Sequence, residues 1–259
     1  MSIIKGGAAG FNSVLFYSDN FSSKAIREKD GTLKIELSNR KSVSNFERMI
    51  KRIPIIRGLF IFVKPAIVMW KVILIVFLPV LVLLLLSSGS SESATNSSFI
   101  QILSIMTNVI DNHFWLLIAI TLMIYAAIIK LSDLGKYHGA EHMTDSCFNS
   151  LSSLVISDVA KQPRIHKHCG TNFVIFLFVV VFILSFLISN YIVIALLSVC
   201  LAYEAFLIQS RIMTPFYWIG GLFQYLFFTS KPSTEHLEVA VASYEALIEA
   251  EIKYSKGKA

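Results

Sequence analysis

His138, Glu141 and His142 stand in the order H-x-x-E-H within the stretch Lys136-Tyr137-His138-Gly139-Ala140-Glu141-His142. On a helix, positions i, i+3 and i+4 share one face. Two imidazoles on that face can ligate one metal ion, with the carboxylate beside them. This is the inverted zincin arrangement: His138 and His142 would hold zinc, and Glu141 would be the catalytic base that takes a proton from water. The competing structural reading is a polar helix start whose His and Glu bond to each other and to water. The helix that would carry this motif also contains Gly135 and Gly139. Each is unfavourable in a helix by ~1 kcal/mol against Ala, so a bend is expected there.

Two imidazoles leave a zinc shell incomplete. The nearest further candidates are in His166-Lys167-His168-Cys169-Gly170-Thr171-Asn172, at the other end of one polar segment, 130–172. His166 and Cys169 carry suitable nitrogen and sulfur donors. Glu204 lies inside an apolar run, where a carboxylate is costly and normally has a partner. It either reaches the site or pairs with Arg211 or Lys130. The candidate metal ligands are therefore His138, His142, His166, Cys169 and Glu204.

The elements that must position these residues are read from hydropathy. Of 259 residues, 55% are hydrophobic and 15% charged, and mean hydropathy is +0.66. That composition argues against a soluble protein and for an integral membrane protein. The expected fold class is an all-α membrane protein with about four transmembrane helices, Val72–Leu86, Phe114–Ile129, Phe173–Ile188 and Tyr191–Ile208. Residues 72–210 form the membrane domain, with the motif in the loop 130–172. Pro79 would kink the first span. Residues 87–98 read as a hydrophilic linker, and Phe99–Ile110 as a short interfacial piece.

Residues 1–50 read as a small cytoplasmic β element. Its strands would be 14–17, 24–29 and 32–37, with Asp30-Gly31 as the turn. No signal peptide is expected in this polar start. Residues 51–71 read as an amphipathic interfacial helix whose basic stripe is Arg57, Lys64 and Lys71. Residues 211–259 combine an interfacial aromatic segment with a cytoplasmic helix whose apolar face is Leu237, Val241, Tyr244 and Ile248. All 23 Lys and Arg residues fall in 1–71, 130–172 and 211–259. The positive-inside rule puts those segments, both termini included, in the cytoplasm. Cys147 and Cys169 would then be thiols or metal ligands rather than a disulfide.

The motif, followed by Thr144, resembles the signature of the YqhQ-like family of bacterial integral membrane proteins. Ile53-Pro54-Ile55-Ile56-Arg57-Gly58, His166 with Cys169-Gly170-Thr171, Tyr203-Glu204, Leu237-Glu238-Val239-Ala240 and the glycine-rich opening at Gly6-Gly7 and Val14 agree with it. The chain departs at Lys167-His168, where the family has Pro-Arg. The resemblance implies a domain of unknown function in the bacterial plasma membrane, labelled a predicted metal-dependent enzyme. Together the residues and the resemblance predict a multi-pass protein with a zinc site at the cytoplasmic interface, acting as a hydrolase. The alternative is a non-catalytic partner or regulator of another membrane complex, such as a protein secretion or insertion channel. Expected partners are the lipid bilayer and such a complex, with no nucleic acid.

Overall fold

The computed structural model describes residues 4–40, 44–68, 123–208 and 210–257, with positions 70, 71, 74, 112, 113, 116 and 120. The expected first span, the linker and the Phe99–Ile110 piece lie almost wholly outside these residues, as does much of the second span.

The amino-terminal segment is a four-stranded antiparallel sheet, β1 (Gly6–Ala9), β2 (Ser13–Tyr17), β3 (Phe21–Arg27) and β4 (Leu33–Asn39), in the spatial order β1-β2-β3-β4. The sequence pattern predicts three strands. The additional one, β1, is Gly-Gly-Ala-Ala, which has no strand propensity and is held by pairing with β2. The β3–β4 turn is set by Asp30, whose Oδ1 accepts the N–H and hydroxyl of Thr32 at 3.0 and 2.7 Å.

Val14, Phe16 and Ala25 on the inner face of the sheet are fully buried. They pack on the carboxy-terminal helix, which is α8 in the numbering α1 (Asn45–Ile50), α2 (Ile56–Val68), α3 (Asp133–Leu151), α4 (Ile156–Val159), α5 (Gly170–Ser185), α6 (Tyr191–Leu207), α7 (Thr214–Phe223) and α8 (Thr234–Lys256). Phe16 meets Tyr244 edge to face at 4.8 Å. Ser243 donates to the Ser23 carbonyl at 2.9 Å. The motif helix α3 joins the same core through Tyr137, Ala140, Met143 and Cys147, against Leu237, Ala240, Tyr244 and Leu247 of α8. Burying a large side chain such as Tyr244 or Leu247 stabilises by about 1.5–3 kcal/mol each.

This sheet-and-helix core overturns the expected all-α, four-span membrane fold. Among the described residues no single helix is long and apolar enough to cross a membrane. The third and fourth expected spans are α5 and α6, of 16 and 17 residues. At 1.5 Å per residue such helices reach about 25 Å, short of a ~30 Å hydrocarbon layer. α6 reaches that length and apolarity only together with Arg211–Phe228, and the pair is bent by 118°. Both helices nonetheless expose large apolar side chains, Phe178, Phe182, Tyr191 and Ile192 among them.

Candidate metal centre

The motif helix α3 runs without a break through Gly135 and Gly139, so neither glycine interrupts it. A Cβ on Gly139 would collide with the Ser230 carbonyl oxygen. That glycine exists for close approach, and the Ser230 N–H bonds the Gly135 carbonyl at 2.8 Å. An exposed Gly→Ala change in a helix gains ~1 kcal/mol, but forced overpacking costs ~1–3 kcal/mol. Gly139→Ala should therefore lower stability by up to about 2 kcal/mol, read as a lower urea midpoint; a higher midpoint would show that the Ser230 segment yields.

The approach of Ser230 brings the end of a π-helical turn, Gln224–Phe228, over the motif. The Phe228 carbonyl lies 2.9 Å from His138 Nδ1, and the Arg164 carbonyl lies 2.9 Å from His142 Nδ1. A carbonyl only accepts, so each Nδ1 carries a hydrogen, which leaves Nε2 as the nitrogen with a lone pair in the neutral ring. A metal-ligating histidine is usually fixed in this way. The two rings stand 4.4 Å apart.

Cys169 caps the start of α5 and supplies the third donor. Its Sγ is 3.5 Å from His138 Nε2. A tetrahedral zinc ion, ~2.3 Å from sulfur and ~2.0–2.1 Å from nitrogen, holds such a pair about 3.5 Å apart. The ligand atoms of His138, His142 and Cys169 all lie within 4.8 Å of one another. Three protein donors with a fourth position open is the pattern of catalytic rather than closed structural zinc sites. Burial drives the titration of these groups. It holds His142 neutral by lowering its pKa well below the ordinary value, and it raises the Cys169 thiol. An arriving cation would displace the thiol proton.

Glu141 shares the face and lines the same cleft. A Cβ on Gly7 would sit 2.6 Å from Glu141 Oε1, so β1 lies directly on this carboxylate. Desolvation pushes Glu141 up to about 7, with Cys169 and Asp145 adding and His138 opposing. A carboxylate near neutrality suits general acid–base work.

The other two predicted ligands are engaged by other partners. His166 turns its Nε2 to Asp145 Oδ2 at 3.3 Å, and its Nδ1 takes the His168 N–H at 3.4 Å. With both nitrogens engaged, it is not one of the convergent donors. Glu204 pairs with neither Arg211 nor Lys130. Arg57 grips both its oxygens, Nε at 2.7 Å from Oε1, and Oε1 also accepts the Ile55 N–H at 2.9 Å. Glu204 is thus a clamp between α2 and α6. Glu204→Gln should leave metal content unchanged by elemental analysis while lowering the melting temperature. Loss of metal would return it to the shell.

Sequence reasoning missed the residues that hold the Cys169 loop in place. Gln224 is fully buried; its Oε1 accepts the His166 N–H at 2.8 Å and its Nε2 donates to the His166 carbonyl at 3.1 Å. Asn172 donates to the carbonyls of His166 and Lys167 at 3.1 and 2.7 Å. Asp145, one turn beyond Glu141, accepts from Tyr244 at 3.1 Å and so ties the site to the core. Asp145 falls at i+7 from His138, a spacing that could have marked it. His138, Glu141, His142, Asp145 and Cys169 line a cleft of about 850 Å³ together with residues 4–9, His166, His168 and Gly170.

A family described as "Protein of unknown function (DUF1385)" matches residues 31–250. The uncharacterized protein YqhQ of Bacillus subtilis (strain 168) is 27% identical over 149 residues, which is 51% of this chain and 47% of that protein. The aligned part thus spans about half the length of this curated relative. No solved structure matches the chain.

Proposed function

The chain belongs to the DUF1385 family of proteins of unknown function, and from the chemistry of its site we propose a zinc-dependent hydrolase. The observation that carries this reading is the convergence of one ligand atom each from His138, His142 and Cys169, with Glu141 on the same helix face. His138 and His142 would bind through Nε2 and Cys169 as the thiolate. When bound, a divalent ion supplies charge that makes water acidic and polarises an acyl or phosphoryl oxygen. Glu141 would take a proton from the attacking water and return it to the leaving group. The water oxygen would end on the attacked carbon or phosphorus, as the bond from that atom to the leaving group breaks. Gln224 and Asn172 hold Cys169 at its distance, and the Phe228 and Arg164 carbonyls hold the two imidazoles in the ligating tautomer.

The exposed apolar residues of α5 and α6 support association with the bacterial plasma membrane, and the family resemblance agrees with that location. The three basic segments, with the site among them, then lie on the cytoplasmic side. Elemental analysis of protein purified without added metal tests the first requirement, with an expected content of about one zinc per chain. A second reading is a non-catalytic partner of another membrane complex. The exposed face of Trp218, Leu222 and Tyr225 on and after α7 favours it as a docking surface.

A further inference from the structure

We propose that the cleft takes an extended peptide, which adds as a fifth strand to the free edge of β1 and passes its backbone over the metal centre. This rests on the hydrolase reading and names its substrate class.

β1 is an edge strand, with β2 as its only strand neighbour among the described residues. The Gly10 N–H bonds the Ser13 carbonyl at 2.8 Å and so sets the alternation of the ladder. Ala8↔Leu15 and Gly6↔Tyr17 are then the hydrogen-bonded pairs, and Gly7↔Phe16 and Ala9↔Val14 are not. The Lys5 N–H meets the Tyr17 carbonyl one residue out of register, as in a bulge that closes the ladder. The N–H and C=O of Gly7 and Ala9 therefore point away from β2, along the free edge. Such a row of unpaired backbone groups is a template for another strand.

Three further features say what belongs there. Residues 4–9 all line the cleft, and consecutive strand residues face opposite ways, so the cleft follows the edge itself rather than one face. α3 contributes to the same lining along a single stripe: His138, Glu141, His142, Asp145 and Asn149. From His138 to Asn149 that stripe is about 16 Å long at 1.5 Å per residue, the length of roughly five extended residues at ~3.3 Å each. Finally, Gly6-Gly7-Ala8-Ala9 carries no proline, charge or bulky side chain, the devices that normally guard an edge. A second backbone can therefore reach hydrogen-bond distance. The scissile amide is placed over the three ligands and Glu141. Water adds to its carbonyl carbon, the C–N bond breaks, and the water proton passes through Glu141 to the departing amine.

The test uses full-length protein carrying Glu141→Gln and loaded with zinc, so that binding is read without turnover. A random decapeptide mixture is passed over it, and retained sequences are remade with one backbone N-methyl group at a time. Strand addition predicts about tenfold weaker binding at every second position and little effect between. Ala9→Pro, which removes an outward N–H while sparing the β2 ladder, should weaken binding about tenfold at unchanged zinc content. The methylation scan uses the unaltered strand, so it stands even where the proline variant fails to fold. Retention of no decapeptide, or a methylation profile without period two, overturns the inference. Zinc content on the same sample separates that failure from failure of the hydrolase reading.

Discussion

Zinc added to chelator-stripped protein should raise its melting temperature by roughly 5–10 °C. The figure follows from linkage: an ion that binds only the folded state at 100 times its Kd stabilises by about 2.7 kcal/mol, and a chain of this size gains about 2–4 °C per kcal/mol. His138→Ala or His142→Ala should abolish the shift. Loss of an outer hydrogen bond to a ligand costs about 10–100-fold in affinity, and loss of one donor of three costs more. The two variants also report on folding. His142 is almost wholly buried, and its removal leaves the Arg164 carbonyl without its side-chain partner, so His142→Ala should lower the metal-free melting temperature. His138 is more open, and its variant should melt near the parent. A metal-free parent that binds no zinc, with both variants altered only in stability, would leave a hydrogen-bonded histidine pair and no centre.

The motif was legible because its information is local. Spacing of three and four residues places His138, Glu141 and His142 on one face of any helix, whatever that helix packs against. Cys169 was legible as a donor near the same polar segment. Its selection over His166 was not, since it depends on Asp145 and on the His168 N–H capturing the His166 ring. Glu204 was recognised as a carboxylate needing a partner, but Arg57 is 147 positions away, and no short-range pattern joins them. The fold class failed for a related reason. Apolar residues of the chain's middle dominated the hydropathy average, whereas the core is built from β2 and β3 of one end, α8 of the other and the weakly apolar motif helix α3. β1 could not be seen at all, because Gly-Gly-Ala-Ala becomes a strand only by pairing with β2.

Glu141→Gln should remove hydrolysis while zinc stays bound, with a loss on the order of 10²–10⁴-fold, the usual contribution of a general base. The amide keeps the size of the side chain, so Gly7 still accommodates it and the packing of β1 on α3 is retained. It cannot take a proton. Because Glu141 is not among the three convergent donors, zinc stoichiometry should match the parent. The pH dependence gives an independent reading of the same group. In the metal-free protein desolvation raises this carboxyl to about 7, so folding favours its protonated form there. That contribution to stability is complete below the ordinary carboxyl pKa and is lost as pH rises through about 7. The parent should therefore lose metal-free stability relative to Glu141→Gln between about pH 5 and 8. A bound cation opposes the shift, since positive charge favours the carboxylate, and zinc should flatten that difference. Equal activity in parent and variant would remove Glu141 from catalysis and leave the partner reading of the protein. Lost activity together with lost zinc would instead make Glu141 a ligand, which the separation of its role from the three donors does not allow.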